Sequence, residues 1–347
     1  MAPTLLVTGA SGLIGFRILR AALEAGLSVR YTVRSEEKAR IVASNPSVAR
    51  FPGGRLSPAA TRDLTVDGAF DAALEGITHV IHAGAPVPVP TYHPAADIFR
   101  PTVGMASSLL ASALRAPAVR RVVVTSSILG NLPLGPRPPL AIPVSAATRV
   151  ALPDPFPAAF DDVYHGYILG KIVELRDSDE FARTREPHFG ICHVNPGYVF
   201  GRNELVLDAT MMQTHNSSNK SLMMAMLGVE LPFPLQPVPN LGGFAHIDDV
   251  ADVHLRVAFL DKTAPGLKDF GVSTNVNFDK IFDHVEETFP EAVAAGIFKR
   301  GKVSTMPLNY DSSETEHLLG RKLKLFSKAV IDVARQYLER IGADKSY

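Results

Sequence analysis

The chain begins with a short apolar run that changes into residues at helical spacing, and this alternation repeats as far as Gly201. The run Thr4–Thr8 predicts a buried strand, and Leu13–Ala25, which ends at Gly26, predicts an amphipathic helix. Further strands are predicted at Ser28–Val33, at Phe51–Leu56 or a little later, and at Thr78–Ala85, Arg121–Ser127 and His188–Val194. Further helices are predicted at Gly68–Glu75, Ala95–Leu114 and Asp161–Arg185.

This alternation is typical of an α/β protein with a doubly wound parallel sheet, because right-handed crossovers place helices on both faces of such a sheet. Beyond Gly201 the pattern changes to methionine-rich helical segments and a proline-rich stretch at 232–239. The helix after Phe244 has Asp248 or Asp249 as its predicted N-cap. We therefore predict a sheet domain at 1–201, with 244–262 returning to it, and a smaller C-terminal lobe at 202–243 and 263–347.

Composition narrows the classes of partner. The 347 residues include 35 basic and 35 acidic side chains, so no net charge favours nucleic acid or a membrane surface, and a small molecule is the expected partner. Cys192 is the only cysteine, which excludes an internal disulfide. The histidines lack ligand-like spacing with carboxylates, so no metal is expected. No apolar run approaches the roughly 18 residues of a membrane helix, and the first strand follows closely on Met1, so we expect a cytoplasmic protein.

The turn after the first strand contains three glycines at intervals of three residues. Gly9 allows the turn, Gly12 leaves the backbone open to a pyrophosphate, and Gly15 lets the helix approach the strand. The helix N-terminus then attracts the phosphates. Such a triplet also occurs in ordinary strand-to-helix turns. The residues predicted to contact a dinucleotide here are Gly9, Ser11, Gly12, Leu13, Ile14 and Gly15.

Charges after the second strand indicate which dinucleotide binds. A carboxylate near this strand end usually holds the ribose of NAD, but Ser28 through Ser35 contains none. Arg34 and Lys38 follow instead, and their charges suit the 2′-phosphate of NADPH. The other interpretation of these two residues is a solvated basic turn.

Other predicted contacts fall at the ends of later strands, where ligands bind in open parallel sheets. Asp63 and Leu64 are expected near the adenine, and small residues after the next strand leave space for a flat ring. His82 is interpreted as a packed core residue, and Ser127 presents a hydroxyl at the end of the strand that begins at Arg121. The remaining predicted cofactor contacts are Ala83, Gly84, Ala85, Asn195, Pro196, Gly197 and Val199.

One helix carries the candidate acid. Tyr167 and Lys171 are four residues apart and share a helix face, so the ammonium can stabilise a phenolate. Tyr164 competes for this role, but its partner four residues on is Ile168, which stabilises no charge.

Together with these residues, several stretches give a resemblance that covers nearly the whole chain: 34–39, 63–64, 100–103, 195–201 and 244–250. The chain resembles the extended short-chain dehydrogenase/reductase superfamily, in the branch of dihydroflavonol, cinnamoyl-CoA and yeast-type methylglyoxal reductases. The resemblance implies a Rossmann domain with a substrate-binding lobe, and reduction of a ketone or aldehyde by NADPH. Tyr167 would protonate the oxygen, Lys171 would stabilise the phenolate and hold the nicotinamide ribose, and Ser127 would bind the substrate oxygen.

Some residues depart from that branch. Gly104 stands where asparagine is usual and Gly170 where serine is usual, and the loop before Tyr167 lacks the usual tryptophan. Methionine and proline in the lobe suggest an apolar substrate of a secondary-metabolism type. A monomer or homodimer is expected. An NAD(P)-dependent epimerase, a 3β-hydroxysteroid-type dehydrogenase and a non-catalytic dinucleotide-binding protein remain alternatives.

Overall fold

The computed structural model describes residues 4–134, 143–215, 217–228, 240–260 and 269–343. The apolar runs of the sequence form short strands, most of which are buried. The strands are β1 (Thr4–Thr8), β2 (Ser28–Val33), β3 (Leu56–Ala60), β4 (His79–His82), β5 (Arg121–Thr125), β6 (Val144–Ser145), β7 (Gly190–Pro196), β8 (Tyr198–Phe200), β9 (Asn240–Leu241), β10 (Gly243–His246), β11 (Phe270–Val272), β12 (Thr274–Asn275), β13 (Thr305–Met306) and β14 (Tyr310–Asp311).

The segments with helical spacing form helices that end near the predicted residues. They are α1 (Leu13–Glu24), α2 (Glu36–Ser44), α3 (Pro46–Ala49), α4 (Asp71–Leu74), α5 (Arg100–Arg115), α6 (Val163–Arg185), α7 (Ala209–Thr214), α8 (Asn219–Leu227), α9 (Ile247–Ala258), α10 (Ile281–Thr288), α11 (Pro290–Ala294), α12 (Ser313–Leu319) and α13 (Phe326–Arg340). Short 3₁₀ helices lie at Ile128–Asn131 and Phe278–Lys280, and a π-helical turn lies at Pro94–Phe99.

Seven parallel strands form the central sheet in the order β11-β7-β5-β4-β1-β2-β3. The order reverses direction at β1, so the doubly wound parallel sheet that the alternation predicts is confirmed. Strand β3 begins only at Leu56, at the later end of its predicted position, because Gly54 takes a turn with φ of +87° just before it. Strand β11 pairs with β7 although the sequence assigned 263–347 to the lobe. The predicted division is therefore corrected at this strand, whose apolar residues extend the sheet.

Two apolar layers cover the sheet. On one face, Phe16 and Leu19 of α1 pack with Val250 and Val253 of α9 against β1, β2 and β7. On the other face, Leu109 and Leu110 of α5 and Phe70 pack against β4 and β5. Buried apolar side chains on both faces explain why the strands are nearly continuous hydrophobic runs. The carboxyl ends of the strands remain the edge at which polar residues accumulate.

The C-terminal lobe has its own apolar core. It is built on a smaller sheet, β12-β10-β8, and on helices α8, α10 and α13. Phe200, Phe244, Phe278 and Phe326 form a group of rings with centroids 5.1 to 6.3 Å apart. Strand β8 follows β7 after a single residue, Gly197, so the lobe's sheet starts at the carboxyl edge of the large sheet.

Two local expectations differ from the structure. The predicted helix Ala95–Leu114 is a π-helical turn followed by α5, since Pro101 has no N–H to continue the ladder at that point. The N-cap of α9 is His246, whose ring accepts from the N–H of Asp248, so neither Asp248 nor Asp249 caps the helix. The proline-rich stretch at 232–239 lies outside the described residues.

Candidate active site

The glycine turn joins β1 to α1 in a geometry that only small residues allow. Gly9 has φ of +70°, and a Cβ added there would lie 2.5 Å from the carbonyl oxygen of Ala83. A Cβ at Gly15 would lie 2.3 Å from the oxygen of Gly9. Gly12 is the N-cap of α1, so no side chain accepts from the first N–H groups of the helix, and no acidic residue occupies its first turn. The helix therefore presents free backbone donors to an anion. Ser11 is exposed, Ile14 is half-buried and Leu13 is buried.

A hydrogen-bonded chain fixes the end of β4 beside this turn. The Thr8 hydroxyl lies 2.8 Å from His82 Nδ1 and accepts from the N–H of Gly84 at 3.1 Å. Burial lowers the pKa of His82 to about 3, and the nearby Lys171 charge acts in the same direction. His82 is thus neutral near pH 7 and packed in the core, as interpreted from the sequence. Ala83, Gly84 and Ala85 follow it as half-buried residues.

The predicted cofactor contacts beyond β2 and β3 are more exposed. Arg34 and Lys38 are solvent-exposed. Burial lowers the pKa of His215, and the charge of the nearby Lys38 acts in the same direction. Asp63 is exposed, and its carboxylate accepts hydrogen bonds from the hydroxyl of Thr65 at 2.6 Å and from the N–H of Thr65 at 2.8 Å. Both hydrogen bonds lower the pKa of Asp63. Leu64 packs against the apolar layer beneath α5. The contacts of these residues with a dinucleotide stay predictions.

Ser127 lies two residues beyond the end of β5 and is largely buried. Its hydroxyl accepts from the N–H of Leu129 at 3.2 Å and so caps the short 3₁₀ helix. The O–H of Ser127 can still donate a hydrogen bond, which a carbonyl oxygen of a substrate can accept. The adjacent Ser126 hydroxyl is buried without a hydrogen-bond partner among the described residues.

The side chain of Asn195 supports the turn after β7 from inside the protein. It is wholly buried, and its amide donates to Asn131 Oδ1 at 2.8 Å. The same oxygen accepts from the Tyr310 hydroxyl at 3.0 Å, and burial raises the pKa of that phenol. Pro196 and Val199 are buried, and Gly197 is half-buried. Contact of this turn with a cofactor stays a prediction, and it would involve the backbone and the half-buried Gly197.

Helix α6 brings two phenols toward the beginning of the lobe. Tyr164 and Tyr167 are both half-buried. Burial raises the pKa of Tyr164, and the neighbouring Tyr198, Asp162 and Tyr167 act in the same direction. A raised pKa and three negative or potentially negative neighbours make Tyr164 a poor proton donor, which agrees with the preference for Tyr167.

Lys171 is the most buried charge of the predicted set. Its ammonium donates to the carbonyl oxygen of Thr125, the last residue of β5, at 3.0 Å. It also donates to both carboxylate oxygens of Glu174, at 3.1 and 3.0 Å. Only 2% of the Lys171 side chain and 0% of the Glu174 side chain are exposed. The ammonium thus lies at the carboxyl end of β5, bound to Thr125, which precedes Ser127 by two residues. Its salt-bridge partner is a carboxylate that the sequence prediction did not include.

The two unusual glycines lie where helices pack closely on their neighbours, Gly170 of α6 on helix α5 and Gly104 of α5 on the loop after β3. A Cβ at Gly170 would lie 3.3 Å from two side-chain atoms of Thr102 on α5, and a Cβ at Gly104 would lie 3.3 Å from Thr65. In this chain a serine at 170 would need the buried Thr102 side chain to shift by a few tenths of an ångström. The departures from the family pattern at these positions therefore have a packing reason.

Other features of the described residues do not form a competing centre. They contain no group of three or more His, Cys, Asp or Glu side chains arranged to hold a metal ion. None of the helices within them is both long and apolar enough to cross a bilayer. A cavity of about 1000 Å³ lies between the later turns of α6, strand β7 and the start of α12, and its lining includes none of the predicted site residues.

Sequence reasoning missed Glu174, Thr8 and Asn131. Glu174 had a detectable signal, because it is a lone carboxylate between apolar residues three positions after Lys171. Thr8 and Asn131 had none, since their partners lie 74 and 64 residues away and meet them only in the folded sheet.

Comparison with known proteins adds the family. The NAD dependent epimerase/dehydratase family matches residues 5–142. Ketoreductase CTB6 of Cercospora beticola is 32% identical over an alignment of 351 residues that covers 96% of this chain and 94% of that protein. Yeast methylglyoxal/isovaleraldehyde reductase Gre2, solved in complex with NADPH, superposes with a TM-score of 0.81 at 24% identity and covers 98% of this chain and 99% of its own. Vestitone reductase from alfalfa gives a TM-score of 0.67 at 17% identity, with 98% and 99% covered. The chain therefore belongs to the extended short-chain dehydrogenase/reductase superfamily, in the reductase branch that its motifs resemble.

Proposed function

We propose that the protein is an NADPH-dependent carbonyl reductase in which Tyr167 is the general acid. The observation that carries this proposal is the position of the Lys171 ammonium. It extends from the helix of Tyr167 to the carbonyl oxygen of Thr125, two residues before Ser127. A phenol, a cation and a hydroxyl thus come from two elements that meet at one edge of the sheet. Reduction of a carbonyl needs these groups, since hydride goes to carbon and a proton to oxygen.

The glycine turn supports binding of the dinucleotide. The uncapped N-terminus of α1 offers backbone donors for the pyrophosphate, and Gly9 and Gly15 keep β1, α1 and the end of β4 close together. Arg34 and Lys38 are exposed at the end of β2 and the start of α2, where their charges suit a 2′-phosphate. Yeast Gre2, a structural neighbour, was solved with NADPH.

The roles of the protein's groups follow from their chemistry. NADPH supplies the hydride when it is bound. The Ser127 hydroxyl donates to the substrate oxygen and holds it beside Tyr167, whose hydroxyl gives the proton. The Lys171 charge stabilises the phenolate that remains. To bind the nicotinamide ribose as well, the ammonium would exchange one of its three hydrogen bonds to Thr125 and Glu174. The half-buried ring of Tyr198, which packs on the lobe core at Phe200 and Phe278 with centroid distances of 6.2 and 5.8 Å, suits a largely apolar substrate.

The test compares Tyr167→Phe with Tyr164→Phe, a matched loss of a hydroxyl one turn away on α6. NADPH oxidation is followed with small polar and bulky apolar carbonyls. We expect Tyr167→Phe to lower kcat by about 10² to 10⁴ with little change in the Kd for NADPH, because a positioned proton donor contributes about that much. Tyr164→Phe should retain most of the activity. Equal activity of the Tyr167→Phe variant and the unmodified chain would remove Tyr167 from the mechanism, and reduction of polar carbonyls alone would contradict the apolar substrate.

A further inference from the structure

The ion pair between Lys171 and Glu174 on α6 is buried, unlike a second ion pair on the same helix. The Arg183 and Glu180 pair on the same helix has the same spacing, but 70% and 59% of these side chains are exposed. The Lys171 and Glu174 side chains are 2% and 0% exposed. A charged group that is taken out of water loses its hydration, so a buried ammonium alone would give up its proton well below the pH at which an exposed lysine does.

Glu174 is arranged to prevent this loss of the proton. Both of its carboxylate oxygens accept from the Lys171 ammonium, and the carbonyl oxygen of Thr125 accepts the third hydrogen bond. The three acceptors match the three N–H donors of an ammonium, whereas a neutral amine has only two N–H groups to donate. The geometry therefore favours the protonated form of Lys171.

The other ionisable groups around Lys171 do not supply this compensation. Three buried histidines lie on neighbouring elements: His82 on β4, whose pKa the Lys171 charge lowers further, His254 on α9, whose ring lies 2.8 Å from the Thr125 hydroxyl, and His193 on β7. None of them carries a negative charge, and the carboxylate beside His193, Asp269, is bound to His193 and Arg149. The 3₁₀ helix packed on α6 has no ionisable side chain, and the ionisable residues of α5 and of the π-helical turn are exposed, namely Arg100, Arg115 and Asp97.

We propose that Glu174 is a positioning residue that keeps Lys171 protonated at the carboxyl end of β5, so that its charge is available to Tyr167 and to the nicotinamide ribose. This inference rests on the proposed function for its catalytic meaning. Glu174 itself contacts neither substrate nor cofactor in this proposal. It acts only through Lys171, by offsetting the loss of hydration.

The first test is the pH dependence of stability in Glu174→Gln. The amide oxygen still accepts a hydrogen bond from Lys171, but the compensating charge is gone. If Lys171 is then neutral in the folded chain and protonated in the unfolded chain, the variant gains stability as pH rises. We expect its deficit relative to the unmodified chain to shrink between pH 7 and 9.5, by up to about tenfold in the folding equilibrium constant per pH unit. A deficit that is the same at every pH would overturn the proposal.

Two further variants identify the titrating group. Glu180→Gln is the matched control, and we expect it to change stability little at any pH because its ion pair is exposed. The double variant Lys171→Met/Glu174→Gln leaves no charge to bury, so it should fold even if Glu174→Gln does not. Its stability should lose the pH dependence, and persistence of that dependence would assign it to another group and overturn the proposal.

Should Glu174→Gln fail to fold, Lys171→Met supplies the reciprocal test. It leaves Glu174 unpaired, and its deficit should grow between pH 4.5 and 7, where a constant deficit would count against the proposal.

The catalytic consequence is measured separately. The alkaline limb of the kcat profile for Glu174→Gln should move down by one pH unit or more, because Lys171 loses its proton earlier, and a limb that does not move would contradict the role. If the unmodified chain reduces no carbonyl, the proposed function fails, whereas the stability measurements still decide whether Glu174 keeps Lys171 protonated.

Discussion

Asp269 lies next to β11 at the edge of the central sheet and binds residues of β7 and of the segment before α6. Its contacts determine how much stability is lost when asparagine replaces it. Its Oδ1 accepts from the N–H of His193 at 2.8 Å and lies 3.0 Å from the ring nitrogen Nδ1, while Oδ2 accepts from Arg149 at 2.6 Å. Burial alone would raise the pKa of Asp269, but His193 and Arg149 hold it at about 2, below its ordinary 3.8. That difference corresponds to about 2 kcal/mol of stability at pH 7.

The sign of the pH dependence follows from the lowered pKa. Because the folded chain binds the proton less readily than the unfolded chain, the contribution of Asp269 is complete above pH 3.8 and is lost as pH falls toward 2. We expect Asp269→Asn to be less stable by about 2 kcal/mol between pH 5 and 7, and the difference to fall to about half near pH 3.

Urea unfolding across this pH range is the assay, with Asp179→Asn as the matched control. Asp179 binds the same Arg149 side chain but is 49% exposed, so its replacement should change the free energy of unfolding by less than about 1 kcal/mol. A deficit of Asp269→Asn at pH 7 no larger than that of Asp179→Asn would refute the reasoning from burial and charge. A deficit that did not decrease toward pH 3 would refute the assigned protonation.

Two further predictions concern the dinucleotide. Gly15→Ala places a methyl group 2.3 Å from the Gly9 oxygen, so the turn must open. We expect NADPH binding to weaken at least tenfold in a fluorescence titration. Gly53→Ala is the control that should bind normally, because a methyl group there meets no atom within 4 Å. Arg34→Ala and Lys38→Ala should each raise the Kd for NADPH about tenfold and leave that for NADH unchanged, since a charge-assisted hydrogen bond contributes about 1.5 to 3 kcal/mol. An unmodified chain that prefers NADH would contradict the choice of cofactor.

Much of the sheet could be predicted because its signals are local. Strand β2 begins and ends at the predicted residues Ser28 and Val33, and α1 follows the glycine turn as expected. Burial on both faces makes strands such as β1 and β5 apolar runs, which a sequence displays directly. Strand β11 was missed because its three residues, Phe270–Val272, are too few to show a period.

The candidate site was predictable where its spacing is helical. Tyr167 and Lys171 share a face of α6 by their four-residue interval alone. Asn195 illustrates the opposite case, since its motif suggested a cofactor contact while its amide donates to Asn131, a residue 64 positions away. No local pattern encodes such a pair, because it depends on how the loop after β5 packs against the end of β7.

The amino-acid sequence by itself determined the alternating elements, the glycine turn and the helical interval between Tyr167 and Lys171, since backbone preference and hydrophobic period act over a few residues. Only the tertiary structure decided that the Lys171 ammonium is buried at the end of β5 and bound to Glu174. Burial is a property of the assembled sheet and helices, and it is burial that determines how strongly each charge needs a partner.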